Sequence, residues 1–246
     1  MTTDSLESLC AIPRDPAAAL CWAHVVLTGS TDEQELVATY LDGSEKEWFA
    51  AKPGRGRIPW LLGRVAAKHA VHEHLTQRNF AAIDPTRIVV ENDALGCPVL
   101  HVRGARLATR GIKVSIAHKP TVGVAVAARF RPLPPATCAD RSSGGIGIDV
   151  ESIDHRPASF ECVVLSPSER RLAATHQDDR DTWLTRVWTV KEAVAKATGR
   201  GLKGRPRDFE VDATDDDRMH CAGRWVTTKS LDTAQGRFIV AWTETV

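Results

Sequence analysis

The sequence predicts an α+β chain built as two similar halves with a ligand cleft between them. Three observations predict it. Strand-like and helix-like runs follow one another along the chain. A stretch rich in Pro, Ser and Gly, from Arg131 to Gly145, interrupts them near the middle. The two sides of that stretch echo each other. Leu41-x-x-Ser44-Glu45-Lys46 returns as Leu165-x-x-Ser168-Glu169-Arg170, and Trp60 with Ala67-Lys68 returns as Trp188 with Ala195-Lys196. Each copy leads into a proline, an arginine and a β-rich run, from Pro85 and from Pro206. Two such halves leave a cleft between them, a common place for a ligand.

In order along the chain, residues 1–19 read as a lead-in and 20–143 as an N-terminal half. Residues 144–246 read as a C-terminal half. Leu20 to Thr28 alternates and is β-rich, so a strand is expected. Ser30-Thr-Asp-Glu33 has capping-box spacing and opens a short helix to about Leu41, with a second short helix from Ser44. Lys52-Pro-Gly-Arg-Gly-Arg57 reads as a basic loop, and Pro59 as the first turn of a helix that runs from Trp60 to Leu75. Strands are expected near 87–90, 99–102, 112–116 and 122–128, with His118-Lys-Pro as the connection between the last two. Past the boundary, Ile146 to Glu151 reads as a strand, and Ser166-Pro-Ser-Glu169 as a second capping box. A long helix from Arg180 to Thr198 stops at Gly199, and strands near 209–211, 224–228 and 237–242 follow.

Composition narrows the class. The 246 residues are 43% hydrophobic and 26% charged, with 32 basic against 31 acidic side chains. That near-balance argues against a nucleic-acid coat, and no apolar run reaches the ~20 residues of a membrane span. The six cysteines stand singly with no C-x-x-C pair, which argues against zinc-ribbon and thioredoxin-like sites, and a reduced, cytoplasmic setting is expected. The N-terminus has no secretion-signal pattern. Phosphate-loop, nucleophile-elbow and dinucleotide-fingerprint patterns are missing.

Two clusters carry candidate chemistry. Asp149 and Glu151 sit at i and i+2 of a strand, which points both carboxylates to one face from Cα atoms roughly 7 Å apart. A bare Asp-x-Glu is ordinarily a solvated strand end. Gly145 and Gly147 beside it permit a close approach by backbone or ligand, and paired carboxylates suit Mg²⁺. Trp188, Glu192 and Lys196 recur at i, i+4 and i+8, so they form one stripe of the long helix. Glu192 with Lys196 is also the ion pair of any exposed helix. The Gly199-Arg-Gly-Leu-Lys-Gly run that follows suits a phosphorylated ligand. Lys52, Arg55 and Arg57 read either as solvated charge or as an anion-binding loop at a helix start. His118 alone, the histidines of the Trp60 helix and Asp215-Asp-Asp217 carry no specific signal.

Taken together, Ile146-Gly-Ile-Asp-Val-Glu151 and Trp188-Thr-Val-Lys-Glu-Ala-Val-Ala-Lys196-Ala-Thr-Gly-Arg-Gly-Leu202 resemble the two signatures of the 4′-phosphopantetheinyl transferase superfamily, at the right separation. Lys113-Val-Ser-Ile-Ala-His118 and Leu95-Gly-Cys-Pro-Val-Leu100 resemble its earlier motifs. Length and duplication resemble the surfactin-synthetase-activating type. That likeness implies a pseudo-twofold monomer whose halves each pack a small antiparallel sheet with a long helix, with the active site in the cleft. It implies Mg²⁺-dependent (or Mn²⁺-dependent) transfer of the phosphopantetheine arm of coenzyme A to a serine of acyl or peptidyl carrier proteins, releasing 3′,5′-ADP. The carriers serve fatty-acid, polyketide or nonribosomal peptide synthesis, and no nucleic acid or membrane is involved. By the same resemblance Asp149, Glu151 and Glu192 hold the metal, and Lys196 contacts the pyrophosphate. His118 contacts a phosphate of coenzyme A. Arg55, with Lys52 and Arg57 beside it, holds the 3′-phosphate. The base is Glu192, then Glu151, or a bound water. Ala117 replaces a serine of the family pattern and Cys97 a lysine, so two contacts to coenzyme A are missing. The rival readings are a non-catalytic coenzyme A-binding or scaffolding protein of the same fold, and a Mg²⁺-dependent pyrophosphatase.

Overall fold

The computed structural model describes residues 20–78, 80–104, 111–130 and 145–243. The expected lead-in, 1–19, and most of the expected boundary stretch, 131–144, lie outside the described residues. The chain divides into two compact units, the first to Ala139 and the second from Asp140. Both combine helices with antiparallel strands, as an α+β class requires.

The N-terminal unit contains β1 (Leu20–Val26), α1 (Glu33–Tyr40), α2 (Gly43–Ala50), α3 (Gly54–Thr76), β2 (Ile88–Asn92), β3 (Pro98–Val102), β4 (Ile112–Lys119) and β5 (Val122–Arg129). Its sheet runs β1-β5-β4, and β2-β3 form a separate hairpin with β3 beside β4. Helix α3 lies across this sheet through Leu62, Val65, Ala66, Ala70 and Val71, all buried. Each buried Leu or Val there contributes about 1.5–3 kcal/mol. A side chain at Gly123 of β5 would overlap the Leu62 carbonyl, so glycine lets helix and strand touch backbone to backbone.

The C-terminal unit contains β6 (Ile148–Ser152), α4 (Ala158–Val164), α5 (Pro167–Ala173), α6 (Arg180–Ala197), β7 (Val211–Asp215), β8 (Arg218–Cys221), β9 (Arg224–Thr233) and β10 (Gly236–Thr243). One antiparallel sheet runs β6-β10-β9-β8-β7. Strand β6 opposes β10, Asp149 facing Ala241 and Glu151 facing Ile239. The ladder is extended by Thr243 N–H donating to the Gly147 carbonyl at 2.9 Å. Helix α6 starts at an Asp179 cap that accepts from Thr182 N–H at 2.8 Å. It ends at Gly199, whose φ of 65° is the left-handed stop expected of glycine.

The expected repeat is present as a buried polar device in each unit. In the first, Glu45 closes a capping box with Asp42 at the start of α2. Its carboxylate also takes Lys68 Nζ of α3 at 2.5 Å and the Val90 N–H of β2 at 3.2 Å. In the second, Glu169 closes a capping box with Ser166 at the start of α5. It takes Lys191 Nζ of α6 at 2.8 Å and the Val211 N–H of β7 at 2.8 Å. The ammonium groups reach back to equivalent carbonyls, Tyr40 at 2.6 Å and Val164 at 2.7 Å. The structural counterpart of Lys68 is therefore Lys191, not Lys196, and that of Trp60 is Trp183. Two Trp-to-Lys spacings of eight residues overlap on one helix, and sequence spacing alone selects the wrong one.

Four local expectations change. Helix α3 begins at Gly54, so Arg55 and Arg57 are helical rather than in a loop. Glycine weakens a helix by only ~1 kcal/mol, and Arg57 anchors this turn by stacking 4.5 Å from the Phe49 ring and pairing with Glu33 at 3.3 Å. The cap of α1 is Asp32, not Ser30, and accepts from Gln34 N–H at 2.7 Å. His118 lies within β4, whose ladder continues through Lys119. Helix α4 and strand β8 are additional elements, too short for a periodicity to declare itself.

Candidate active site

Gly145 and Gly147 explain how α6 meets the acidic strand. A methyl group at Gly147 would overlap the carbonyl oxygen of Ala193 and sit 2.7 Å from the Ala197 nitrogen, and one at Gly145 would overlap the Ala197 carbonyl oxygen. The chain entering β6 therefore runs directly on the helix backbone. Close approach is what the two glycines supply, and the partner is the protein's own helix.

Strand alternation then turns Asp149 and Glu151 to the same face while Ile148 and Val150 go to the core. Asp149 is 7% exposed. The stripe on α6 meets this face at both ends. Trp188 Nε1 donates to Glu151 Oε1 at 3.2 Å, and Lys196 Nζ donates to Asp149 Oδ1 at 2.7 Å and to the Ile148 carbonyl at 3.1 Å. Helical side chains lean toward the N-terminus, so Lys196 reaches back along its helix to Asp149. Glu192 lies on the same stripe, one turn from each of these two contacts, and is half-buried. Two motifs roughly forty residues apart thus form one acidic surface.

A second cation serves this surface. Arg156, in the segment after β6, donates from Nη2 to Glu151 Oε2 at 3.1 Å. Sequence reasoning missed it, because an Arg-Pro pair after a strand has no distinguishing pattern. Among the described residues no group of three or more His, Cys, Asp or Glu side chains is gathered as a ready metal site. Asp149 and Glu151 each hold a side-chain cation of the protein instead.

The other expected site residues belong to the N-terminal unit. Arg55 is exposed on the first turn of α3. Lys52 lies 5.8 Å from the Trp60 ring centroid, and Arg64 faces the same ring at 4.8 Å. Burial lowers the Arg64 guanidinium to about 10, with Glu45 opposing. His118 is exposed beside Gly63 of α3, where an added methyl would come within 3.3 Å of its ring. Ala117 is buried in β4, and Cys97 sits in the β2–β3 turn with its N–H on Asp93 Oδ1 at 2.9 Å.

Comparison with known proteins bears on the same residues. The family model described as ACPS, 4′-phosphopantetheinyl transferase superfamily, matches residues 145–243. The 4′-phosphopantetheinyl transferase HetI of Nostoc sp. (strain PCC 7120 / SAG 25.82 / UTEX 2576) is 25% identical over 204 residues, covering 80% of this chain and 71% of that protein. The crystal structure of holo-ACP-synthase from Plasmodium yoelii matches 39% of this chain and 78% of its own at 20% identity, with a TM-score of 0.33. The segment that resembles the 4′-phosphopantetheinyl transferase superfamily, residues 145–243, contains β6, α6 and every contact of the acidic surface.

Proposed function

We propose that the protein transfers the phosphopantetheine arm of coenzyme A to a serine hydroxyl of an acyl or peptidyl carrier protein. The observation that carries this reading is the meeting of the Trp188–Glu192–Lys196 stripe with Asp149 and Glu151. It lies wholly within the matched segment. In the transfer, the serine oxygen bonds to the phosphorus bearing the pantetheine arm, the bond to the leaving phosphate breaks, and 3′,5′-ADP departs. The serine proton goes to a carboxylate.

Phosphoryl transfer asks for position and charge neutralisation more than covalent help. Asp149, Glu151 and Glu192 would hold Mg²⁺, and three carboxylates are the hard oxygen donors that this ion takes. The residues fit the ion in chemistry, and Asp149 and Glu151 already draw cations. Bound there, Mg²⁺ supplies positive charge to the pyrophosphate. Lys196 is placed to add a second positive charge to the leaving group. Glu192, on the α6 stripe between Trp188 and Lys196, is the proposed base, with Glu151 as the alternative. In the N-terminal unit Arg55 would hold the 3′-phosphate and His118 another phosphate, with Lys52 and Arg57 adding positive potential.

The test is a mass-shift assay with apo carrier proteins of the fatty-acid, polyketide and peptide-synthetase classes, coenzyme A and Mg²⁺. A gain of one phosphopantetheine arm is expected, lost on chelation and restored by Mg²⁺. Glu192→Gln lowers the rate by ~10²–10⁴-fold, as loss of a general base does. Coenzyme A binding by calorimetry with no mass gain on any carrier overturns the reading in favour of a binding protein. Coenzyme A cleavage without carrier overturns it in favour of a pyrophosphatase.

A further inference from the structure

Three side chains, Trp188, Phe160 and Arg156, close a ring with the Glu151 carboxylate. Trp188 holds Glu151 Oε1 at 3.2 Å and Arg156 holds Oε2 at 3.1 Å. The two donors are joined behind it. The Arg156 guanidinium lies 4.8 Å from the Phe160 ring centroid, and Phe160 meets Trp188 edge-on at 5.2 Å and 62°. The ring draws on β6, the segment after it, α4 and α6. Arg156 is itself tied down. Its Nη2 also reaches the Ser152 carbonyl at 3.4 Å, and Arg180 of α6 donates to its backbone carbonyl at 2.9 Å. Side-chain exposures of 19% for Arg156 and 12% for Glu151 take the pair out of the class of solvent-screened surface bridges.

We infer that Arg156 is a positioning residue for Glu151. Acting with Trp188 through the Phe160 stack, it fixes the carboxylate's orientation before any ligand arrives. The inference rests on the transferase reading for its kinetic consequence, but not for its geometry. A carboxylate gripped at both oxygens has lost its rotamer freedom, and a group fixed in advance needs no reorganisation during the reaction. The grip depends on guanidinium chemistry. Arginine can stack its plane on Phe160 while donating to Glu151 from its edge, whereas a lysine ammonium cannot do both. Substituting such a supporting partner typically lowers activity by about 10–100-fold.

The experiment uses the full chain labelled with ¹⁵N at tryptophan indoles. Trp188→Phe identifies the Trp188 Nε1–H signal by its disappearance. Arg156→Met is expected to shift that signal and to speed its solvent exchange by about tenfold, as loss of a protecting contact does. In carrier modification, Arg156→Met lowers kcat about tenfold while KM for coenzyme A stays within about twofold, and Arg156→Lys recovers little. A lowered melting temperature with an unmoved Trp188 signal means that Arg156 is merely structural and overturns the inference. Should Arg156→Met fail to fold, Trp188→Phe decides: it keeps the ring packing and loses the N–H, so an unchanged kcat overturns the inference. A wild-type protein that modifies no carrier, yet whose Trp188 signal responds to Arg156→Met, sinks the transferase reading and leaves the clamp standing.

Discussion

Lys191 and Glu169 face each other at 2.8 Å with both side chains fully buried, one residue before Glu192 in the chain. Lys68 and Glu45 do the same in the other unit at 2.5 Å. Burial drives the Lys68 ammonium below its ordinary value, and Glu45 opposes that shift. Each carboxylate also serves a helix cap and a strand amide, so one side chain ties three elements together.

Removing one partner of either pair strands a charge in the interior. Lys191→Met or Glu169→Gln is expected to destabilise the protein by about 3–5 kcal/mol. The double replacement Lys191→Met with Glu169→Leu recovers part of that loss, because no charge is left behind. Urea denaturation of the three variants checks it, and additive losses in the double variant contradict it.

Gly147→Ala forces a methyl group into the Ala193 carbonyl and against the Ala197 nitrogen. Overpacking at a backbone contact costs on the order of 1–3 kcal/mol. The variant should therefore melt earlier and lose the Lys196–Asp149 contact. Gly54→Ala, where an added methyl meets nothing, is the control and should leave the melting temperature unchanged or raised.

Acid should weaken the N-terminal unit before carboxylates protonate in bulk. Burial lowers His69 to about 4, with His72 adding to the effect. Burial lowers His74 to about 4 as well, helped by Arg78 and Arg129. Below pH ~6.5 the unfolded chain binds protons at both positions and the folded chain does not. Stability is therefore full above that pH and falls as pH drops toward 4, by up to ~3 kcal/mol per histidine. Denaturant midpoints measured between pH 7.5 and 4.5 should show the slope, and His74→Gln should flatten it. A flat wild-type profile contradicts the assignment.

If Arg55 holds the 3′-phosphate of coenzyme A, Arg55→Ala raises KM for coenzyme A by about tenfold, as loss of a charge-assisted contact of ~1.5–3 kcal/mol implies, with kcat kept. With 3′-dephospho-coenzyme A the same substitution has no effect. Equal effects on the two substrates remove the assignment.

Much of this was legible in the residues, for reasons that differ by element. The β6 glycines, the Asp149/Glu151 pair and the α6 stripe stand out because strand and helix periods place them on faces without any tertiary information. The cap at Ser166 was legible because its chemistry is local. The start of α3 was not, since Arg57 stacking on Phe49 is a contact between segments. Arg156 was invisible for the same reason. The repeat was found through Leu41 and Leu165 but placed a turn and more out of register on α6. Only the buried Lys–Glu pairs show which lysine matches which.

The pairing of β6 with β10 sets a timetable for synthesis. The acidic strand is made early in its unit, yet its ladder neighbour is the last strand described, Gly236–Thr243. On the ribosome, Asp149 and Glu151 must wait for roughly ninety further residues before a sheet exists to hold them. A nascent chain stalled short of β10 would carry every catalytic candidate and no means of aligning them.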